Sequence, residues 1–232
     1  MKKQKIELPA FSAEFSYPLP EKELLLATGG RAPKIDWLTK AAKQRTLWCI
    51  DHGIDYCYSA KLLPQRLIGD GDSAANACWN WARKNQVQVE KFPPEKDYTD
   101  TQLALNMAAN ENALIILTGA FGGRFDHAFS TAFTFAHSQL KGIMADEKEA
   151  MLFIKGGESV SINFDSFPKA LSLLSFTQFA KGVNIDNVKW PLENKALQQG
   201  FPYSVSNEAT KNPVHISIAD GILGIYLCWN FI

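Results

Sequence analysis

The first 140 or so residues alternate short apolar runs with segments of helical periodicity. Runs such as "LLLAT" (24–28), "TLWCI" (46–50), "QRLIG" (65–69) and "LIILTG" (114–119) alternate with helices predicted over residues 34–44, 74–85, 100–110 and 127–139. This alternation is typical of βαβ units, in which parallel strands are covered by helices. We therefore expect an N-terminal three-layer α/β domain with a mostly parallel sheet.

The pattern changes near residue 142, after which apolar runs follow one another without predicted helices. In "SVSINFD" the apolar residues Val160, Ile162 and Phe164 alternate with polar ones, as they do in a strand with one buried face. Similar runs continue to the C-terminus, for example "ALSLLSF" and "ILGIYLCW". We predict that an all-β sandwich domain follows the α/β domain, with the boundary between residues 140 and 150.

Composition and charge exclude several functional classes. The 232 residues contain 24 basic and 24 acidic side chains, so a general electrostatic binder of nucleic acid or membrane surfaces is not expected. No run of 18 apolar residues or signal-peptide pattern occurs, which predicts a cytoplasmic protein. The four cysteines lack metal-finger spacing and are predicted to be reduced and buried. The mixed-charge run "DEKEA" (146–150) is predicted to be solvated surface.

Acidic residues follow several of the predicted strands. Asp51 follows "TLWCI", Asp70 and Asp72 lie in "GDGDS" after "QRLI", Asp100 opens a predicted helix, and Asp126 lies in "GAFGGRFDH" after "LIIL". Any one of them is explained as a helix cap or turn residue. As a set they indicate a ligand site, because the carboxyl ends of parallel strands meet at one edge of the sheet.

Clustered carboxylates need a compensating cation. Oxygen-only ligands favour Mg²⁺ over Zn²⁺, and Mg²⁺ commonly shares its coordination sphere with substrate phosphates. Neither a GxxxxGK[ST] loop nor a GxGxxG dinucleotide fingerprint occurs in the chain. A polyphosphate substrate bound outside the common nucleotide folds is therefore expected.

Two glycine-containing loops supply candidate phosphate donors. "ATGGRAPK" (27–34) follows the first predicted strand, where Gly29 and Gly30 permit close backbone approach and Arg31 adds a cation. "GAFGGRFDH" (119–127) repeats this arrangement with Arg124. Glycines after a strand are more often plain turns, but two such loops beside the acidic residues strengthen the prediction of a phosphate site.

Four ordered segments resemble the thiamine pyrophosphokinase (thiamine diphosphokinase) family. They are "GDGDS", "KDYTD", "GAFGGRFDH" and "VKWPLENKALQQGFPYSVSNEA" (188–209), and the resemblance extends from about residue 24 to the C-terminus. It implies transfer of the diphosphoryl group of ATP to the hydroxyl of thiamine, with release of AMP. It also implies an ATP- and Mg²⁺-binding catalytic domain over residues 1–145 and a thiamine-binding β-sandwich over 146–232. The β-sandwich would form a homodimer, with active sites between the subunits.

The resemblance also implies roles for individual residues. Four aspartates would hold Mg²⁺: Asp51, Asp70, Asp72 and Asp100. Residues that would contact or flank ATP are Gly29, Gly30, Arg31, Asp51, Asp97, Thr99, Arg124, Asp126 and His127. Residues that would bind thiamine are Ser204, Ser206 and Asn207. Catalysis would depend on Asp70, Asp72, Asp100 and Arg124, with Asp100 as the candidate proton acceptor.

Some points remain open at the level of the sequence. His52 stands where the family usually has a glycine, and either Trp190 or Trp229 is a candidate to stack on thiamine, although a core role is favoured for Trp229. Three alternative functions are a diphosphokinase for another primary alcohol, a Mg²⁺-dependent nucleotide pyrophosphohydrolase, and a non-catalytic nucleotide or thiamine sensor.

Overall fold

The computed structural model describes residues 3–69, 75–92 and 97–230. The chain divides into two units, Pro20–Asp146 and a discontinuous unit formed by Met1–Leu19 with Glu147–Ile232. Among the described residues, no helix is long and apolar enough to span a membrane. The predicted fold class, an α/β part followed by an antiparallel β part, is confirmed.

The first strands of the chain belong to the discontinuous unit. They are β1 (Lys5–Leu8) and β2 (Phe11–Phe15), an antiparallel pair whose second strand also pairs with a strand formed by residues 159–164. Phe11, Ala13 and Phe15 are buried and alternate with more exposed residues. The expectation that the α/β domain begins at residue 1 is therefore wrong, because this alternation gives β2 an apolar face that is buried in the β unit.

Parallel strands and helices alternate through residues 20–146. In chain order they are β3 (Glu23–Ala27), α1 (Ile35–Ala42), β4 (Thr46–Ile50), α2 (Gly53–Ser59), β5 (Arg66–Gly69), α3 (Asn76–Lys84), β6 (Gln88–Lys91), α4 (Asp100–Asn110), β7 (Leu114–Thr118), α5 (Phe125–His137) and β8 (Lys141–Ala145). All the strand pairs of this unit are parallel among the described residues, in the order β8-β7-β3-β4-β5-β6. The central strands are buried on both faces, as their continuous apolar sequences indicate.

The remaining strands form the antiparallel part of the discontinuous unit. They are β9 (Glu149–Lys155), β10 (Ser159–Phe164), β11 (Ala170–Ser175), β12 (Phe179–Ile185), β13 (Leu192–Gln198), β14 (Val214–Ser217) and β15 (Ile222–Cys228). One sheet has the order β1-β2-β10-β14-β12-β13, and a second ladder has the order β11-β15-β9. Contacts of β12 with β15 and of β11 with β13 join the two layers into a sandwich.

Candidate functional site

The parallel sheet has a reversal of strand order at β3. The chain passes from β3 to β4, β5 and β6 on one side, and then crosses to β7 and β8 on the other. Such a reversal opens a crevice at the carboxyl ends of the two strands that flank it, and ligands of open α/β sheets bind there. The loops after β3 and β7, which contain the two glycine segments identified in the sequence, lie at this position.

Backbone hydrogen bonds join these two loops. The N–H of Thr28 donates to the carbonyl of Thr118 at 2.9 Å, that of Gly30 to Gly119 at 2.7 Å, and that of Arg31 to Phe121 at 2.7 Å. A Cβ on Gly30 would lie 2.3 Å from the Gly119 carbonyl oxygen. Glycine is therefore required at position 30, since any side chain would separate the loops.

Arg31 is paired with a buried carboxylate. Its Nε and Nη2 donate to Oδ2 of Asp146 at 3.1 and 2.6 Å. The Asp146 side chain is 0% exposed and that of Arg31 is 16% exposed. Arg31 is therefore engaged inside the unit, whereas the sequence predicts a phosphate donor. The prediction that "DEKEA" is solvated surface is wrong at Asp146, which lies at the end of β8.

Asp51 lies beside the start of the acidic segment. Its backbone has φ +47°, and its N–H donates to the Ile68 carbonyl at 2.9 Å. A Cβ on Gly69 would lie 2.0 Å from Asp51 Oδ1, so the Asp51 carboxylate contacts the last residue before Asp70. Asp70 and Asp72 themselves lie outside the described residues.

His52 follows Asp51 and contacts the first glycine loop. A Cβ on Gly29 would lie 3.1 Å from the Cβ of His52. His52 Nδ1 is 3.0 Å from Oδ2 of Asp55, and Oδ1 of the same carboxylate accepts the N–H of Ala75 at 3.3 Å. Asp55 thus links His52 to the first described residue after "GDGDS". The hydroxyl of Tyr56 donates to the Gly30 carbonyl at 2.6 Å, which ties α2 to the β3 loop.

The first turn of α4 also reaches the switch point. Thr99 is the N-cap, and its hydroxyl accepts the N–H of Gln102 at 3.2 Å while the Gln102 amide oxygen accepts the N–H of Thr99 at 3.0 Å. Thr101 Oγ1 is 2.9 Å from Thr28 Oγ1, so this turn contacts the loop after β3. Asp100 lies between these two threonines and is partly buried, whereas Asp97 is exposed.

An ion pair lies at the start of α5. Arg124 donates from Nε and Nη2 to the two oxygens of Asp126 at 3.1 and 2.6 Å, and Asp126 Oδ1 also accepts the N–H of His127 at 3.0 Å. The hydrogen bond from Arg124 holds the pKa of Asp126 below its ordinary value, and Asp126 raises the pKa of Arg124. Both side chains are exposed, so the guanidinium is accessible to a ligand.

Three of the predicted ATP residues share one cavity. A cavity of about 200 Å³ lies between α4 and α5 and is lined by Thr99, Gln102, Asp126, His127, Ser130 and Thr131. The structure thus brings Thr99 together with Asp126 and His127, although Asp126 lies 27 positions after Thr99 in the sequence. Gln102 and the two α5 hydroxyl residues were not predicted, because nothing in their spacing distinguishes them from ordinary helix surface.

The described residues hold no complete metal site. They contain no group of three or more His, Cys, Asp or Glu side chains placed to bind an ion. Carboxylate oxygens such as those of Asp51 are ligands that suit Mg²⁺. The Asp51 carboxylate contacts Gly69, the residue that precedes Asp70 in the sequence. The metal assignment thus depends on Asp70 and Asp72 as well as on Asp51 and Asp100.

The predicted thiamine residues lie in the β unit. Asn207 is buried, and its side chain accepts the N–H of Trp190 at 3.1 Å and donates to the Trp190 carbonyl at 2.7 Å. Ser204 is buried, whereas Ser206 is exposed with φ +61°. Asn207 therefore holds the backbone of Trp190, whose ring is half exposed.

The two candidate tryptophans differ in their surroundings. Lys189 Nζ lies 4.6 Å from the centroid of the Trp190 ring, at the surface of the unit. Trp229 stacks on Phe11 at 5.6 Å and donates from Nε1 to the Ser166 carbonyl at 2.9 Å. Trp229 thus packs within the β unit, as favoured from the sequence, and Trp190 is the more exposed of the two rings.

Two family models match most of the chain. The model described as "Thiamin pyrophosphokinase, catalytic domain" matches residues 38–145, and the one described as "Thiamin pyrophosphokinase, vitamin B1 binding domain" matches residues 157–223. The chain is 27% identical to a thiamine pyrophosphokinase of Bacillus subtilis (strain 168) over 207 residues, which are 87% of this chain and 96% of that protein.

Solved structures with similar folds carry the same description. The crystal structure of thiamine pyrophosphokinase from Bacillus subtilis has a TM-score of 0.81 and 22% identity, and covers 90% of this chain and 100% of that chain. A family protein from Enterococcus faecalis has a TM-score of 0.78 and 24% identity, with coverage of 90% and 100%. At these identities the structural similarity supports the fold.

Proposed function

The chain belongs to the thiamin pyrophosphokinase family, and from that premise we propose that it is a thiamine diphosphokinase. It transfers the diphosphoryl group of ATP to the hydroxyl of thiamine, giving thiamine diphosphate and AMP. The observation that carries this conclusion is the match of both family domains, in order, to one chain. The loops joined at the switch point of the parallel sheet agree with a nucleotide site there.

We assign the metal-binding role to Asp51, Asp70, Asp72 and Asp100. The contact between Asp51 and Gly69, together with the place of Asp100 in the first turn of α4, supports this assignment for the described members of the set. Bound Mg²⁺ would neutralise negative charge on the triphosphate and on the departing AMP. The aspartates themselves would fix the orientation of the phosphates through the ion they share.

The proposed ATP-binding set consists of Asp97, Thr99, Arg124, Asp126 and His127. Gly29 and Gly30 would lie close to the nucleotide. Support comes from the cavity that Thr99, Asp126 and His127 line. Arg124 would exchange its bidentate contact with Asp126 for phosphate oxygens, which offer the same geometry to a guanidinium. Since both partners are exposed, this exchange requires no desolvation of a buried charge.

The proposed reaction is an in-line displacement at the β-phosphorus. The thiamine hydroxyl oxygen forms a bond to the β-phosphorus while the bond from that phosphorus to the oxygen bridging the α-phosphorus breaks. AMP leaves with the bridging oxygen, and the hydroxyl proton passes to the Asp100 carboxylate. Arg124 would stabilise the charge that develops on the phosphate oxygens, and the remaining residues would hold the reactants in line.

The β unit would supply the thiamine site in a homodimer. Ser204, Ser206 and Asn207 are the proposed residues, and the half-exposed Trp190 is the ring that would stack on the cationic thiazolium. Because Asn207 is hydrogen-bonded to the backbone N–H and carbonyl of Trp190, its contribution would include fixing the backbone that carries that ring. Mixing Asp100→Asn subunits with Trp190→Ala subunits tests whether the active sites lie between subunits. The mixture would regain activity only if each site uses residues of two chains.

The decisive experiment measures AMP and thiamine diphosphate formed by the purified protein from ATP, with thiamine, Mg²⁺ and EDTA as variables. Formation of both products only when thiamine and metal are present is the expected result. AMP release without thiamine would indicate a pyrophosphohydrolase, and turnover of another primary alcohol in preference to thiamine would indicate a different diphosphokinase. Light scattering would test the dimer, and cell fractionation would test the predicted cytoplasmic location.

A further inference from the structure

The ion pair between Arg31 and Asp146 joins parts of the α/β unit that are distant in sequence. Arg31 lies in the loop after β3, and Asp146 follows β8. The strand between them is β7, which pairs with both β3 and β8. One buried contact therefore joins the loop after β3 to the carboxyl end of β8, two strands that are separated by β7 in the sheet.

The environment of Arg31 leaves it little freedom. Its backbone N–H is bonded to the Phe121 carbonyl at 2.7 Å. A Cβ on Gly122 would lie 2.9 Å from the Cβ of Arg31, so the side chain passes directly beside the second glycine loop. Its guanidinium then reaches Asp146, whose side chain is fully buried. The loop after β3 is thus anchored through its backbone to β7 and through its side chain to β8.

We propose that Asp146 is a positioning residue of the nucleotide site, a role that rests on the proposed function. Its carboxylate holds Arg31 in place, and Arg31 holds Gly29 and Gly30 against the loop that leads to Arg124. Loss of the carboxylate would leave Arg31 partly buried without this partner, and the guanidinium would move toward solvent. The loop after β3 would then lose its alignment with the loop after β7, and ATP would bind less tightly.

The first test compares Asp146→Asn with the wild-type enzyme in steady-state kinetics. We expect KM for ATP to rise on the order of tenfold, with KM for thiamine and kcat nearly unchanged, because binding geometry is altered while the reacting groups remain. A merely structural role would reduce the folded fraction, and this lowers the maximal rate without changing KM. An unchanged KM for ATP would overturn the proposal.

The chain offers a matched control at the amino ends of β3 and β4 in the same sheet. Arg45 Nε donates to Oε2 of Glu23 at 2.5 Å, and their side chains are 8% and 18% exposed. Glu23→Gln breaks a similar buried pair away from the crevice, so we expect it to lower Tm comparably and to leave KM for ATP unchanged. An equal rise in KM in this variant would contradict a specific role for Asp146.

Hydrogen exchange provides a readout that does not depend on activity. In Asp146→Asn the amide protons of Gly30 and Arg31 should exchange faster, whereas Glu23→Gln should leave them protected. Equal protection of these amides in both variants would overturn the proposal, whether or not the wild-type protein has kinase activity. Absence of kinase activity in the wild-type protein would separately contradict the proposed function. If Asp146→Asn does not fold, Arg31→Lys serves the exchange test, because lysine keeps the charge and lacks the fork of donors.

Discussion

Single glycines determine how closely the two loops at the switch point approach. Gly30 lies against the carbonyl oxygens of Gly119 and Phe121, and Gly119 lies against that of Thr28. Backbone atoms cannot move aside as a flexible side chain does. The crevice therefore depends on positions that carry no functional group of their own.

Gly30→Ala tests this dependence. Its Cβ would lie 2.3 and 2.7 Å from two backbone oxygens, so we expect the free energy of unfolding to fall by about 2–4 kcal/mol. Gly29→Ala is the control, since its Cβ would lie 3.1 Å from the Cβ of His52 and no closer than 3.8 Å to a backbone atom of that residue. Urea denaturation of both variants measures the difference. Equal losses would show that the close approach at Gly30 is relieved by movement of the loops.

The thiol of Cys78 is a second residue whose environment has a measurable effect. Burial raises the pKa of Cys78 to about 12, and a hydrogen bond with Asp55 adds to the shift. The thiol therefore stays protonated in the folded protein at pH values where the unfolded chain loses the proton. Its contribution to stability is complete below the ordinary thiol pKa of 9.0 and is lost as pH rises toward about 12.

We expect Cys78→Ala to have a shallower alkaline loss of stability than the wild-type protein. Urea unfolding at pH values between about 8 and about 11 would show the difference as a smaller decrease in the free energy of unfolding. The difference between the two proteins gives the contribution of Cys78 to the pH dependence of stability, because lysines and tyrosines that titrate in the same range are present in both. Parallel pH profiles for the two proteins would show that Cys78 ionises alike in the folded and unfolded states.

Site residues were predictable from the sequence where they follow strands. Asp126 was predicted from its place after a strand, because parallel topology brings strand ends to one edge of a sheet. Thr99 and His127 were implied by the family resemblance, and the three residues line one cavity. Asp146 was missed because a carboxylate in a mixed-charge run resembles solvated surface. Its burial follows from the position of β8 beside β7 and from Arg31, a partner distant in sequence, and neither is visible in a local pattern.

Elements with strong terminal signals were the most predictable. α4 was predicted over residues 100–110 and has these bounds in the structure, since Thr99 and Gln102 form a capping box at its start. α2 was missed because it has only seven residues, too few for a clear period. β12 and β13 were missed because their pairing contains register shifts, and β13 is largely exposed. Such strands are defined by their neighbours more than by their own sequences.

The cap of α4 gives a prediction for this helix. Thr99→Ala removes the acceptor for the Gln102 N–H, so we expect the free energy of unfolding to fall by about 1 kcal/mol. Thr99→Ser keeps a hydroxyl at the same position and should recover most of the loss. Urea denaturation of the two variants measures the difference. A Thr99→Ala variant as stable as wild type would show that water replaces the cap.

At the scale of the whole molecule, the two units differ in how the chain builds them. The α/β unit is one continuous segment, Pro20–Asp146, whereas the β unit combines residues from both sides of it. β2 pairs with β10 along Phe11–Phe15, so the first residues complete a sheet formed mainly by the last part of the chain. The sequence pattern changes near residue 142, and the α/β unit ends at Asp146. Nothing local reveals that the first strands join the later sheet.

Deletion of residues 1–19 should destabilise the β unit severely. Ile6, Leu8, Phe11 and Phe15 are buried, and at about 2 kcal/mol each they contribute roughly 8 kcal/mol, similar to the whole stability of a typical domain. We expect loss of soluble protein, measured by sedimentation of the expressed chain. Glu14→Ala, at an exposed position of β2, should remain soluble. A soluble deletion variant with an unchanged Tm would contradict this role of the N-terminal strands.

The pairing of β2 with β10 also affects the order in which the nascent chain folds. The ribosome releases β1 and β2 before the α/β unit, whereas β10 emerges only after the entire α/β unit has been synthesised. An isolated pair of strands is marginally stable in water. While the α/β unit forms, β1 and β2 therefore lack their partner strand β10, and their apolar side chains stay exposed in this N-terminal segment. Chaperone dependence during translation should therefore be concentrated in this segment, which precedes the α/β unit in the chain.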